Sequence, residues 1–323
     1  MNKLKSAVAA GLAMALAQAI PGAFAQSSPS ATVTQNGIGN QAYVDQNQAG
    51  EGATVSIVQT GNHNMVGDPT NRTGGILQHN TPGQIVAVSQ QGDANQLTLR
   101  HDNEGGFFGF AYLNQSGTGN VATLLETGAY ESTIRVEQHG ERNVIEDHAN
   151  NVGALSFRPE QLGSDNVITV TRNWSGYGGL PIYQEGSGNR ATVTLDDAFY
   201  SGMIISQTGV DNEVRGSLTS TGFATDASVT QIGVGNLAVN NITGAGGALT
   251  TQVGDGNTAT VNQNSGSNTA AISQLGARNT ATVTQAGALS ETRNTAWITQ
   301  VGDGFAAAIT QTGTANSAGI YQH

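Results

Sequence analysis

The sequence predicts an all-β chain, a two-sheet parallel β-solenoid of about 12–13 rungs with two short strands in each. Three observations carry this. Within residues 257–287, Asn257, Ala259, Val261 and Gln263 are followed by Asn268, Ala270, Ile272 and Gln274, and then by Asn279, Ala281, Val283 and Gln285. A spacing of two is that of a strand, with Asn, Ala, Val or Ile, and Gln all on one face. The signature Gln-x-Gly-x-x-Asn recurs along the chain about every 23 residues, room for two such strands and two turns. Composition is the third observation: 44 Gly, 11% charged and 5% aromatic residues in 323 suit neither a large globular core nor a charged disordered tail.

Residues 1–25 read as a secretory signal peptide, with Lys3 and Lys5 at its start, an apolar run over 7–20 and Ala23-Phe24-Ala25 as small residues for cleavage. The run is short for a membrane helix and nothing later approaches spanning length, so no transmembrane segment is expected. Residues 26–30 are a short polar lead, and the array fills 31–323 as one domain.

The first unit holds Gln35, Gly37 and Asn40, then Ala42, Val44 and Gln46. The signature returns at Gln59, Gln90 or Gln91, Gln115, Gln138, Gln161, Gln184, Gln207, Gln231, Gln252 and Gln274, and again at Gln311 with Gly313 and Asn316. The residue two after each Asn is apolar throughout, as at Leu97, Ile145 and Ala281, and so are those two before Gln at Ile57, Leu113 and Ile298. These are buried strand positions beside exposed ones. The alternate, even-numbered strands lose their Gln in mid-chain, where His101, Glu126, Ala149, Arg172, Leu195, Leu218 and Ile242 stand, and regain it at Gln263, Gln285 and Gln322. Spans 67–83 and 103–106 break the period and read as surface loops.

Strands this short fit an antiparallel meander or a coil. A coil stacks residues one repeat apart at about 4.8 Å, so like lies over like, as the sequence repeats it. Stacking also explains polar residues on the inward face. An unpartnered buried carboxamide costs about 1–3 kcal/mol, whereas in a ladder each amide donates to one neighbour and accepts from the other. The expected ladder comprises Gln35, Asn40, Gln46, Gln252, Asn257, Gln263, Gln274, Asn279, Gln285, Gln300, Gln311, Asn316 and Gln322. With no polar cap recognised at either end, the rod, about 60 Å long, would join others end to end.

Net charge is −11, which argues against nucleic acid as a partner. There is no Cys, so order rests on main-chain pairing and stacking rather than disulfides. The six His are scattered without ligand spacing, and Glu146-Asp147-His148 reads as an eroded strand; no enzyme and no cofactor are expected. Thr192/Thr194, Thr258/Thr260 and Thr280/Thr282/Thr284 could form an ice-binding face, but Arg190, Glu213, Arg215 and Asn241 interrupt it. A monomeric secreted β-solenoid adhesin is the other alternative. Arg135, Glu137, Arg158, Glu160, Glu213 and Arg215 are expected on outward positions, as a solvated face or as gatekeepers against sideways sheet association.

The full pattern Gln-x-Gly-x-x-Asn-x-Ala-x-x-x-Gln, at Gln35 to Gln46, Gln252 to Gln263 and Gln274 to Gln285, resembles the curlin repeat of curli fibre subunits. The resemblance implies an extracellular functional amyloid of a biofilm matrix, involved in adhesion and exported unfolded. Its implied partners are further copies of itself, a nucleating curlin subunit, and an outer-membrane secretion pore with accessory chaperones. The chain departs from the family's usual form in its larger number of repeats, its altered even strands and the 67–83 insertion.

Overall fold

A computed structural model describes residues 28–323 except 48, 68–74, 80, 103–108, 129–132, 154, 175, 177, 197–199, 220–224, 265 and 288–292. The segment 1–25, residues 26 and 27 of the lead, and the loop at 103–106 lie outside the described residues. The described chain is a two-sheet parallel β-solenoid. The first sheet has thirteen strands, from Ser30–Asn36 to Ser317–Gln322, and the second has fourteen, ending at Ala306–Thr312. Every pairing is parallel, and the chain alternates between the sheets, with two of its second-sheet passes split into two short strands, Gln41–Ala42 with Val44–Asn47 and Met65–Val66 with Ile76–His79.

The register is set by the period of two. Slipping a strand by one residue would turn its apolar set to solvent and its polar set inward. Gln138 therefore lies beside Gln115 and Gln161, and Ile134 beside Ala111 and Phe157. Facing sheets close over a core of Ala, Val, Ile and Leu, such as Leu113, Leu124, Ile145 and Ile182. At the turn after each first-sheet strand, Gly runs up the stack. Gly140 has φ +118°, and a Cβ there would land on the carbonyl oxygen of Gly163 in the next rung, so only Gly fits.

Two features differ from the sequence reading. Inside 67–83 the structure places a strand, Ile76–His79, in the second sheet, between Val44–Asn47 and Gln96–Asp102. This rung is split: Met65–Val66 begins it and Ile76–His79 finishes it, with Ile76 and Gln78 buried. The apolar-x-Gln spacing survives the interruption, which is why the chain returns to the stack.

The second difference concerns the last rungs. Gln311 stands over Gln285 in the second sheet, and Gln322 over Gln300 in the first, the reverse of the expected assignment. Phe305 occupies the place of the signature Asn after Gln300-Val301-Gly302, and its backbone N–H donates to Asn279 Oδ1 at 2.9 Å. The rung at Gln300 thus escapes a search for the signature, and the count shifts by one strand.

Proline interrupts the first sheet at mid-length. Pairing of Thr133–Glu141 with Leu155–Ser164 lapses at Arg135 with Arg158 and at Val136 with Pro159, and the pairing of Gly178–Ser187 with Gly202–Val210 starts only at Ile182, just after Pro181. A residue without an N–H cannot complete a ladder.

Candidate self-assembly ladders and a buried ion cluster

Three polar stacks are built into the solenoid, two along its length and one only near its ends. In the first sheet, the Gln35 amide nitrogen donates to Gln59 Oε1 at 2.6 Å, Gln138 to Gln161 at 2.9 Å and Gln300 to Gln322 at 2.8 Å. From Gln59 onward the second N–H of the amide reaches main chain, as from Gln138 to the Val121 carbonyl at 3.0 Å. Gln252 and Gln274 belong to the same stack, at 2.9 Å from each other. Buried amides are thereby satisfied along the stack.

At the turn into the second sheet, Asn40 begins another stack that includes Asn257 and Asn279. Asn64 N–H donates to Asn40 Oδ1 at 2.9 Å, and Asn279 N–H to Asn257 Oδ1 at 3.0 Å. Each Asn also donates to a glycine carbonyl of the next rung, as Asn40 to Gly61 at 2.8 Å. Asn316 is elsewhere, on the opposite turn over Asn294, with 3.1 Å between them. The order of the chain puts it there, since it precedes a first-sheet strand rather than following one.

The second-sheet Gln stack exists only near the ends. Gln46 donates to Gln78 at 2.8 Å, Gln263 to Gln285 at 3.0 Å and Gln285 to Gln311 at 2.8 Å. At the boundary with the altered strands, Gln263 Oε1 is buried over Ile242 with no hydrogen-bond partner among the described residues.

Between these segments the same column carries charge into the core. His101, Glu126 and Arg172 occupy it, with Ala149 between Glu126 and Arg172. Because Ala149 has only a methyl group, the Arg172 guanidinium reaches across its rung to Glu126 Oε1 at 2.8 Å. It also clasps Asp147 through Nε, at 2.9 Å, and Nη2. His101 Nδ1 lies 2.9 Å from Glu126 Oε2. The guanidinium carbon sits 5.0 Å from the centroid of the Phe157 ring, which closes the cluster from the first sheet. Arg172, Asp147 and Glu126 have no exposed surface. Burial pushes the Asp147 carboxyl up to about 6 despite the pull of Arg172. Burial also opposes the charge on Arg172, and Asp147 and Glu126 more than offset it, holding its pKa above the usual guanidinium value.

Position explains each member. Asp147 fills a site where its neighbours carry Leu124 and Val170, and Arg172 fills a Gln site. The sequence reading takes Glu126 and Arg172 only as a loss of Gln, and Asp147 as part of an eroded strand. The signal was present: oppositely charged side chains in one inward column, flanking an Ala.

The charges expected on the surface are there. Arg135, Arg158 and Arg215 are exposed, with Glu137, Glu160 and Glu213 partly so, and Arg215 Nε donates to Glu213 at 2.6 Å. Among the described residues no group of three or more His, Asp or Glu could hold a metal ion. No described helix is long and apolar enough to cross a membrane.

The family described as the curlin associated repeat matches residues 254–287. No curated protein matches the chain. The matched segment covers the second-sheet strand Thr258–Asn264, the first-sheet strand Asn268–Leu275 and the second-sheet strand Thr280–Ala286, where all three amide stacks are present. The chain is thus a parallel β-solenoid that carries a curlin-like repeat over residues 254–287.

Proposed function

We propose that this protein is the subunit of an extracellular, curli-like fibre, in which copies add end to end so that each contact is one more rung. The observation that carries the reading is the state of the terminal strands. Ser30–Asn36 and Ser317–Gln322 each have a neighbour on one side only among the described residues. The stacks point the same way at each end. Gln35 Oε1 accepts no hydrogen bond among the described residues, whereas the Gln322 amide nitrogen, held by the Ala306 carbonyl at 3.2 Å, keeps a second N–H. One end offers acceptors, the other donors. Both sheets share the inward order apolar, apolar, Gln. Ala31, Val33 and Gln35 therefore match Ala318, Ile320 and Gln322 as well as Ala307, Ile309 and Gln311. Such a head-to-tail contact does not close on itself and yields a filament.

The buried ion cluster bears on how copies stack. Laying identical extended chains in register would put Arg172 over Arg172 and Glu126 over Glu126 at about 4.8 Å inside a dry core, a like-charge column with no counter-ion. A folded coil keeps Glu126, Asp147 and Arg172 in one molecule, so the stable stack is of whole solenoids. The curlin likeness supports extending the reading to adhesion, a place in a biofilm matrix, and export through an outer-membrane pore with a nucleating subunit.

The test is fibre growth by the purified chain lacking residues 1–25. Seeds of its own fibres should abolish the lag in a thioflavin assay, and the fibres should give a meridional reflection near 4.8 Å. Carboxylates at the inward end positions, Val33→Asp with Ile320→Asp, should stop elongation while leaving the soluble fold. A chain that stays monomeric under seeding would overturn the reading in favour of a monomeric adhesin.

A further inference from the structure

The outward face of the first sheet changes character along the rod. On Thr133–Glu141 and Leu155–Ser164 it carries Arg135, Glu137, Arg158 and Glu160. On the four strands Thr225–Val234, Gly246–Asp255, Asn268–Leu275 and Thr295–Val301 it carries no base, and its only charges are Asp226 and Asp255. Ile232, Val253, Leu275 and Val301 stand in one unbroken column. Four residues back along the strands, Leu249, Ala271 and Trp297 form a second. Leu249 is 51% exposed, Leu275 50% and Trp297 46%, large values for apolar side chains in a folded array. Between the two ridges runs a furrow of short hydroxyl side chains, with Thr251 beside Ser273 and Ser273 beside Thr299. Trp297 has space to lie along the face because its neighbour in the next rung is Gly319, where a Cβ would overlap the indole.

We propose that this face pairs sideways with the same face of a second copy, joining two filaments of the end-on kind proposed above. Ridge, furrow and ridge on one flat surface are self-complementary, since an apolar ridge of one copy seats in the hydroxyl furrow of the other. This is the packing of a dry interface between sheets about 10 Å apart. Area decides when pairing occurs. Four strands about 4.8 Å apart and roughly five residues of strand cover only about 300–400 Å² per copy. A stable dimer buries about 800 Å² per partner. Free subunits therefore stay single, whereas a filament repeats the patch with every copy and accumulates the missing area. The charged strands at mid-rod remain hydrated, so the contact recurs as separate patches.

The pairing rests on the end-on reading, and the experiment separates the two. Fibres of the chain without residues 1–25 are compared with those of Ile232→Lys/Leu275→Lys, whose changes are outward and leave the inward stacks intact. A control, Thr123→Lys/Thr169→Lys, places the same charge on the second sheet. Electron microscopy gives fibre width and seeded thioflavin growth gives elongation rate. We expect unmodified and control fibres two solenoids across, the Ile232/Leu275 variant one solenoid across, and equal elongation for all three. Unmodified fibres already one solenoid across, or paired fibres in the variant, would overturn the proposal and leave end-on growth standing. If no fibre forms, end-on growth fails. The pairing, which needs the patch repeated along a filament, is then overturned with it.

Discussion

The rungs around Glu126 to Arg172 and those around Asn257 to Gln285 use one backbone and opposite chemistry. In the second group, neutral amides repeat at every rung and each donates to an identical neighbour, with Gln252, Gln274 and Gln300 spaced at 2.9 Å. In the first group, the second-sheet column is a buried cluster of unlike charges spanning three rungs, and the first-sheet ladder is interrupted beside Pro159 and Pro181. The difference teaches what each chemistry permits. Identical amides let any rung follow any other, which is compatible with the end-on joining proposed above. A cluster of Glu126, Asp147 and Arg172 fits only its own partners, which suits an interior that must close within one molecule.

The sharpest way to break this comparison is to remove one charge. Arg172→Ala leaves Glu126 and Asp147 buried without their counter-ion and should cost about 3–5 kcal/mol, read from urea unfolding of the soluble chain. Replacing the three together by Leu, Val and Leu at 126, 147 and 172 should cost far less, because no buried charge is stranded. A triple variant as unstable as Arg172→Ala would show that packing rather than charge holds the centre.

The effect of pH comes next in size. The Asp147 carboxyl, raised to about 6 by burial, holds its proton more firmly in the fold than when unfolded. Its contribution is therefore complete below the unfolded value of about 4 and is lost as pH rises through about 6, on the order of 1–3 kcal/mol. The unfolding midpoint should rise between pH 7 and pH 5, and Asp147→Asn should flatten that rise. No comparable term exists at Gln263, Gln274 or Gln285, which do not titrate.

Within the amide stacks, Gln274→Ala removes the acceptor of Gln252 and the donor to Gln300, and should cost about 1–3 kcal/mol. The same change at the end of the stack, Gln322→Ala, orphans one partner in place of two and should cost less in the monomer while slowing fibre elongation. Equal losses at the two sites would argue against cumulative satisfaction along the ladder. The smallest effect belongs to the surface. Glu213→Gln removes an exposed pair with Arg215 and should change stability by about 0–1 kcal/mol, diminishing with added salt.

Much of this architecture is visible before any coordinates. The period of two assigns Leu97, Leu113, Ile145 and Ile298 to the interior, and all four are buried. The Gln and Asn repeats announce stacks that the structure contains. Less visible is Ile76–His79, because nearby Pro and Gly residues read as loop while only Ile76 and Gln78 keep the inward spacing. Less visible still is the cluster, because Asp147 and Arg172 taken singly are departures from the repeat. Their compatibility depends on residues 25 positions apart in sequence that meet one rung apart.

Sequence by itself determined the strand period, the face each side chain takes and the repetition that makes a coil, since these follow from local alternation along a pleated backbone. Tertiary structure alone decided that Gln311 joins the second sheet and Gln322 the first, that a rung is completed after an interruption, and that Ala149 leaves space for Arg172 to reach Glu126. The reason is physical. Alternation is fixed by neighbours along the chain, whereas the partner of a strand and the room beside a side chain are fixed by what the intervening turns bring alongside.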